Sequence, residues 1–191
     1  MNNLLANYEQ YENTWDEMFD DSGKVRTIYS HFGKFLSEAK LDSLNQMKEF
    51  SNQFFKNQGV TFTVYHDNKG VERIFPFDII PRIISSNEWE IIEKGIIQRI
   101  TALNLFLKDV YHEKFIIKDE VIPASLLINN DCYLRQMIRL EVPKNVYTHI
   151  SGVDLIRDKN GELFVLEDNL RTPSGVSYML ENREITRRLY P

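Results

Sequence analysis

The sequence is poor in the features that mark secreted and membrane proteins. It has one cysteine, Cys132, so no disulfide can form within the chain, and a reducing cytosol is the expected compartment. No stretch approaches the roughly 20 apolar residues that a membrane-spanning helix needs. The first ten residues lack the basic and then apolar order of a signal peptide. These absences predict a cytoplasmic protein with no membrane partner.

Positive charge of the kind that nucleic acids attract is also scarce. The chain has 23 Lys and Arg against 28 Asp and Glu, and the resulting formal charge of −5 argues against a nucleic-acid partner. Neither an internal repeat nor a low-complexity tract is visible. A chain of 191 residues is long enough to bury a core without disulfides.

Hydrophobic periodicity predicts helices early in the chain and strands after them. Residues 43–57 show the helical period best, and Gly59 supplies a stop signal. Alternation from Val60 predicts a hairpin that turns at Asp67–Gly70. The predicted helices are 11–19, 25–39, 43–57, a long one that starts at the Ser85–Glu88 capping box and ends near Tyr111, and 176–189.

The fold class is therefore α+β, with N-terminal helices followed by antiparallel hairpins and helices. We assign residues 1–58 to a helical region and residues 59–191 to an α+β region. The apolar run at 75–84 is broken by two prolines and predicts an irregular, buried connection. A second strand pattern begins at Val146.

The second hairpin contains the residues of chemical interest. Asn160-Gly161 is a strong two-residue turn signal between two strand patterns. With that turn, Asp154 lies directly opposite Glu167. A four-residue loop would slide the register by two residues, and both carboxylates would still share one face of the hairpin.

Two carboxylates that face each other across a strand pair repel one another. A divalent cation between them would remove the repulsion, and oxygen ligands favour Mg²⁺ or Mn²⁺ over zinc. Asn169 lies two residues beyond Glu167 and presents its amide on the same face, so the predicted metal ligands are Asp154, Glu167 and Asn169. A second interpretation leaves the two carboxylates exposed to solvent and paired with Arg157 or Lys159.

Three segments resemble one protein family. In residues 166–178, Glu167 and Asn169 are followed by Thr172-Pro173, and this segment resembles the metal-binding segment of the circularly permuted ATP-grasp proteins, the relatives of glutathionylspermidine synthetase. The stretches 72–82 and 149–157 are similar to the same group. The likeness runs from about Met18 to the last residue.

The resemblance implies part of an ATP-grasp-type ligase fold, and an enzyme that joins a carboxylate to an amine through an acyl phosphate. Its cofactors would be ATP and Mg²⁺ or Mn²⁺, and its partners a small-molecule or peptide acid and an amine. Asp154, Glu167 and Asn169 would hold the metal against the triphosphate. Arg171 would be catalytic and would bind a phosphate or the substrate carboxylate.

Three further residues would bind substrate or phosphate by the same resemblance. Ser174 and Gly175 precede a helix, whose N-terminus favours anions, and Arg82 lies in a matching stretch. Alternatives remain open for the arginines: Arg171 in a salt bridge to Asp168 or Glu181, and Arg82 paired with Asp78. His149 is left out of the site, because a lone His in a strand is more often a hydrogen-bonded core residue than a catalyst, and its role stays open. The residues interpreted as packing rather than chemistry are Cys132, Trp15 and Trp89.

Members of this group are much longer, and the part that would follow supplies the nucleotide-gripping lysines and much of the adenine pocket. We therefore expect a truncated product, a fragment or one piece of a split gene, which binds nucleotide weakly and is inactive alone. Its partner would be the missing C-terminal half or another chain. The alternative function is a non-catalytic binding or assembly module that keeps the fold and exposes an apolar surface.

Overall fold

The computed structural model describes residue 5, residues 8–66 and residues 69–191, with the backbone alone for 63–66 and 69–72. Helices and two-stranded antiparallel sheets follow one another along the chain, which confirms the α+β class. Every helix within these ranges is too short or too polar to span a lipid bilayer. The elements are α1 (Ser30–Glu38), α2 (Leu41–Gln58), β1 (Thr61–His66), β2 (Lys69–Ile74), α3 (Ser86–Tyr111), α4 (Phe115–Lys118), α5 (Ser125–Ile128), β3 (Gly152–Arg157), β4 (Leu163–Asn169) and α6 (Val176–Leu189), with 3-10 turns at Thr27–Tyr29, Arg135–Met137 and Pro143–Asn145.

The backbone gathers into two compact units. The first, unit 1, contains Met1–Ser85, Ile156–Phe164 and Ser174–Pro191, and the second, unit 2, contains Ser86–Leu155 and Val165–Pro173. Strands β3 and β4 therefore contribute residues to both units. The division at residue 58 that the sequence suggests stays a prediction.

Three of the predicted helices, 43–57, the long one from the capping box and 176–189, are confirmed as α2, α3 and α6. Helix α2 ends where expected because Gly59 adopts φ 68°, the left-handed conformation that glycine tolerates best, and donates its N–H to the Lys56 carbonyl at 3.2 Å. The first hairpin is also present, and β1 and β2 pair from Thr61–Ile74 to His66–Lys69. Asp67 and Asn68 of its predicted turn lie outside the described residues.

The predicted helix at 11–19 is wrong. The carboxylate of Asp16 accepts hydrogen bonds from the backbone N–H groups of Met18 and Phe19, both at 2.8 Å. Such a local side-chain bond competes with the helical bond pattern and favours a turn. Phe19 then forms an isolated bridge with Val25, so the helix predicted at 25–39 begins only at α1.

The core of unit 1 forms between α2 and α6. Phe55 and Ile185 are fully buried, and Phe54 is 9% exposed beside them. Burial of three large apolar side chains of this kind contributes about 1.5–3 kcal/mol each to folding. Tyr178 of α6 stacks on Phe75 with 4.3 Å between ring centroids, which extends this contact toward the first sheet.

The connection at 75–84 is irregular, as predicted, but it is not buried. Its residues alternate between partial and full exposure, and Ile80 is 40% exposed. Donors on neighbouring elements satisfy its backbone carbonyls instead: Lys48 donates to the carbonyl of Phe77, and the Tyr190 hydroxyl donates to that of Ile79. The two prolines prevent sheet pairing, so side chains take over the hydrogen bonds.

Unit 2 is built around α3, and one of its side chains ends a predicted strand. The Asn104 side-chain oxygen accepts the backbone N–H groups of Tyr147 at 2.8 Å and Thr148 at 3.2 Å. These groups are therefore not free for a ladder, and β3 begins at Gly152 rather than at Val146. His149, whose role the sequence leaves open, is exposed.

The turn between β3 and β4 has three residues rather than two or four. The N–H of Gly161 donates to the Asp158 carbonyl at 3.0 Å, and the N–H of Asp158 donates to the Glu162 carbonyl at 2.9 Å. This pattern, with φ 85° at Gly161, is a turn closed by a glycine bulge. Asp158 favours it because its carboxylate accepts the N–H of Asn160 at 2.8 Å.

Gly161 also lies against the ring of Trp15, and this contact generates a prediction. A Cβ at Gly161 would lie 2.7 Å from the ring, whereas a Cβ at Gly23, which has φ 77°, would meet nothing within 4 Å. Both Gly→Ala variants carry the same backbone strain, about 1–2 kcal/mol, but only Gly161→Ala must also displace Trp15. We expect it to lower the free energy of unfolding by at least about 1 kcal/mol more than Gly23→Ala does. Urea denaturation measures both, and equal losses would contradict the packing of Trp15 on the turn.

Candidate metal centre

The three predicted metal ligands lie together on one face of the second hairpin. The side-chain nitrogen of Asn169 donates to Glu167 Oε1 at 2.9 Å and to Asp154 Oδ2 at 3.3 Å. All three residues belong to unit 2 and are exposed. The structure therefore brings Asp154, Glu167 and Asn169 within hydrogen-bonding reach of one another.

The strand register that joins these residues is the predicted one, although the turn is not. A Cβ built on Gly152 would lie 3.5 Å from the Asn169 Cβ, so these two positions face each other, as the two-residue turn requires. Beside the turn, the three-residue loop shifts the strand pairing by one residue relative to the predicted register. Strand β4 has seven residues and β3 six, so the extra residue is taken up along β4.

The electrostatics of the pair show the repulsion that the sequence predicts. The pKa of Asp154 lies above its ordinary value, first because a hydrogen bond to Glu167 favours the protonated acid. Partial desolvation and the charge of Glu167 act in the same direction, and the hydrogen bond from Asn169 opposes them. The surroundings of Asp154 therefore favour its protonated form relative to a free carboxyl.

The donor set suits a hard divalent cation. Two carboxylates and one amide supply oxygen ligands, and Mg²⁺ commonly takes one or two carboxylates and completes its octahedron with water and substrate phosphates. Rotation of the Asn169 amide by half a turn would replace its N–H donors with its oxygen. Across the part of the chain that the structure describes, no cluster of three or more His, Cys, Asp or Glu forms an alternative site.

Asp168 is separate from this cluster. Its carboxylate pairs with Arg99 of α3 through contacts of 2.6 to 2.9 Å. The hydrogen bond from Arg99 holds the pKa of Asp168 below its ordinary value. Because Arg99 lies 69 residues away in the chain, no local pattern identified it as the partner. The two adjacent acids thus have different roles, Asp168 in an ion pair and Glu167 in the cluster.

Arg171, the predicted catalytic residue, is exposed and has a guanidinium nitrogen 3.7 Å from Cys132 Sγ. The alternative partner Asp168 is engaged by Arg99 instead. Cys132 is itself exposed, so the prediction that it packs as a small apolar residue is wrong. The role of Arg171 in catalysis stays a prediction.

Arg82 belongs to unit 1 and is held by Glu17, not by the predicted alternative Asp78. Its guanidinium donates to both carboxylate oxygens of Glu17, at 2.7 and 2.8 Å. This bond is the main reason that the pKa of Glu17 lies below its ordinary value. Asp78 accepts the backbone N–H of Ile80 at 2.9 Å instead.

The structure also corrects the expected partners of the carboxylate pair. Arg157, one of two cations proposed to neutralise it, donates instead to the Gly161 carbonyl at 2.8 Å and lies 3.7 Å from Glu17. Trp15 stacks under Arg26 at 3.8 Å, which confirms its packing role. Trp89 is 51% exposed, so the prediction that it packs is wrong.

Ser174 and Gly175 stand at the start of α6, as predicted. Gly175 precedes the first helical residue with φ 95°, and its carbonyl accepts the Met179 N–H at 2.8 Å. This N-terminus belongs to unit 1. Binding of an anion there stays a prediction.

Comparison with known sequences identifies the family. The family model named "Circularly permuted ATP-grasp type 2" matches residues 81–191, more than half of the chain, and this range includes every predicted site residue. The chain belongs to this family. The match confirms the ATP-grasp resemblance, while the finer likeness to glutathionylspermidine synthetase is not part of it.

Individual relatives of this ATP-grasp chain are considerably longer. It is 45% identical to the uncharacterized protein sll0335 of Synechocystis over 94% of its own length and 37% of the relative's. It is 42% identical to the uncharacterized protein ML0605 of Mycobacterium leprae, over 95% of its own length and 32% of the relative's. It is 34% identical to a putative glutamate–cysteine ligase of Frankia alni, over 93% of its own length and 20% of the relative's. The chain thus spans about a third or less of the length of these curated relatives.

The repulsion within the cluster leads to a stability prediction. Glu167→Gln removes one of two facing charges, so we expect the melting temperature in a chelating buffer to rise by roughly 1–3 °C. Excess Mn²⁺ should stabilise the parent chain but not this variant. Calorimetric melts with and without Mn²⁺ measure both effects. Glu162→Gln, an exposed carboxylate outside the cluster, is the matched control and should keep the Mn²⁺ response. A lower melting temperature for Glu167→Gln would contradict the repulsion.

Proposed function

We propose that this chain is the metal-binding portion of an ATP-dependent ligase that joins a carboxylate to an amine. The observation that supports it most directly is the pair of facing carboxylates joined by one amide, Asp154, Glu167 and Asn169. The family match and the ligase names of two Frankia relatives support the same reaction class.

The residues of the cluster would act by holding Mg²⁺ or Mn²⁺ against the triphosphate of ATP. The bound cation would supply neutralisation of the charge on the phosphate oxygens. Asp154 and Glu167 contribute the negative charge that retains it, and Asn169 contributes a neutral oxygen from the same strand. Asp154 must be ionised for this, and a bound cation would oppose the influences that raise its pKa.

The proposed reaction has two steps. A substrate carboxylate oxygen attacks the γ-phosphorus of ATP, which forms an acyl phosphate and releases ADP. The amine nitrogen then attacks the acyl carbon, inorganic phosphate leaves, and the amine loses a proton to give the amide. Arg171 suits the binding of the anionic group in either step, because it is exposed, cationic and two residues beyond Asn169.

The substrate class that we propose is an amino acid or peptide carboxylate with an amine acceptor. Two Frankia relatives are named putative glutamate–cysteine ligases. For this chain we propose only the ATP-dependent joining of a carboxylate to an amine, a reaction that glutathionylspermidine synthetase would share. ATP, Mg²⁺ or Mn²⁺ and the anion-binding roles of Arg82, Ser174 and Gly175 belong to the same proposal.

Exposed apolar side chains favour a second candidate, an assembly module without catalysis of its own. In unit 2, Ile91 is 74% exposed, Leu105 61% and Leu166 64%. Side chains of this kind, when contiguous, mark surfaces that bind other proteins. The two candidate functions differ in whether Asp154, Glu167 and Asn169 must bind a metal ion, because an assembly module does not need a metal site.

Direct metal binding tests the cluster in this chain. Titration with Mn²⁺, followed by the loss of the free-ion electron paramagnetic resonance signal, should reveal one site in the parent chain. We expect Asp154→Asn or Glu167→Gln to weaken its affinity by at least about tenfold, because each removes a charged ligand. Glu162→Gln should bind as the parent does. Unchanged affinity in both cluster variants would show that Mn²⁺ binds elsewhere.

Turnover tests the reaction in a longer protein that contains these residues. Glu167→Gln should lower Mg²⁺-dependent ATP hydrolysis by at least about 100-fold, since metal stabilisation of the phosphoryl transition state is worth several kcal/mol. Release of inorganic phosphate, with an amino acid and an amine present, is the measurement. Hydrolysis at the parent rate in the variant would refute the ligase assignment and leave the assembly module.

A further inference from the structure

Unit 2 contains a cavity whose residues lie outside the metal cluster. It has a volume of about 830 Å³ and lies where the end of α3, the short helix α4 and residues 138–141 meet. Four of its lining residues have basic side chains, although the chain as a whole has a net charge of −5. The lining residues are His112, Glu113, Lys114, Ile117, Lys118, Ile138, Arg139 and Glu141.

Two of these basic residues have unusual backbone conformations. Lys114 has φ 58° and Arg139 has φ 60°, values that side chains with a Cβ seldom adopt. Each conformation is strained, and strained residues concentrate where the direction of a side chain matters for ligand binding. The two positions lie 25 residues apart in the chain, yet both line the same cavity.

The surrounding structure fixes both strained positions. The Asp109 carboxylate accepts the backbone N–H groups of Phe115 at 2.9 Å and Ile116 at 3.0 Å, which holds the segment after Lys114. The N–H of Arg139 donates to the carbonyl of Tyr111 at 2.9 Å. Tyr111 is 8% exposed, so Arg139 is tied to the buried part of unit 2.

The charges of the lining are only partly matched. Lys118 lies 4.0 Å from Glu113, and His112 lies 3.9 Å from Glu141. The ammonium of Lys114 lies 5.9 Å from the Tyr133 ring, a contact with an uncharged group. Among the residues that the structure describes, neither Lys114 nor Arg139 forms an ion pair with a carboxylate, so two cations remain for a ligand.

We propose that this cavity binds a small molecule through an anionic group, either a phosphate or a carboxylate, held by Lys114 and Arg139. The guanidinium of Arg139 offers a forked pair of N–H donors, and the Lys114 ammonium offers a second charge from another segment. His112 is oriented beside them by the Tyr147 hydroxyl, 3.1 Å from its Nε2. The site does not depend on the proposed metal cluster, since it shares no residue with it.

The strained backbone permits a clean test. Glycine adopts positive φ without strain, so Lys114→Gly and Arg139→Gly remove a cation and should not destabilise the chain. Lys144→Gly is the matched control, because Lys144 is a cation with φ 57° that does not line the cavity. The probes are inorganic phosphate and succinate, titrated at constant ionic strength with chloride and followed by the backbone amide NMR shifts of residues 112–118 and 138–141.

At least one probe should shift these amides in the parent chain and in Lys144→Gly. Loss of either cavity cation should weaken binding by about tenfold, the effect of one charge-assisted hydrogen bond. A response to phosphate alone assigns a phosphate ligand, and a response to succinate alone assigns a carboxylate ligand. The proposal is overturned if neither probe shifts these amides, if both cavity variants bind as the parent does, or if Lys144→Gly loses as much affinity as they do.

Discussion

The facing carboxylates of Asp154 and Glu167 are the constraint around which the candidate site is organised. Their side chains share one face of a hairpin, and the Asn169 amide donates to both. Like charges in this position oppose folding. The pKa of Asp154 is raised first by its hydrogen bond to Glu167, and desolvation and the charge of Glu167 act in the same direction. A divalent cation between the two carboxylates would offset this cost, which is why we propose a metal site here.

Three arginines of the described part of the chain have acceptors other than Asp154 and Glu167. Arg99 is bound to Asp168, and Arg157 lies beside the Gly161 carbonyl and Glu17. Arg82 is held by both oxygens of Glu17. Arginine prefers such forked contacts, so these cations are already committed to other acceptors. The carboxylate pair of unit 2 is left for a ligand.

The cavity lined by Lys114 and Arg139 brings together positive side chains, whereas the candidate metal site brings together negative ones. These two cations line one cavity from separate segments, and both occupy strained backbone conformations. An acidic chain that gathers cations in one cavity has a local potential quite unlike its average. The net charge of −5 argues against an extended basic surface, but it does not preclude a local group of cations of this kind.

Local periodicity was sufficient to predict the longest helices and the residues that lie together in the candidate metal site. Helices α2 and α6 follow from a 3.6-residue pattern with recognisable ends. The shared face of Glu167 and Asn169 follows from strand alternation, which depends only on neighbours in sequence. Even with a turn of unexpected length, Asp154 remained on that face, because β4 accommodates the additional residue.

Tertiary structure decided the ion pairs between residues that are distant in the chain. Arg99 reaches Asp168 across 69 residues and Arg82 reaches Glu17 across 65, and neither pairing has a local pattern. The 11–19 segment was mispredicted because Asp16 captured backbone donors that periodicity assigned to a helix. Alternation along a strand depends on bond geometry, whereas the choice of an ion-pair partner depends on which distant surfaces pack together. The sequence by itself determined which side chains share a strand face, and only the folded chain decided which distant charges pair.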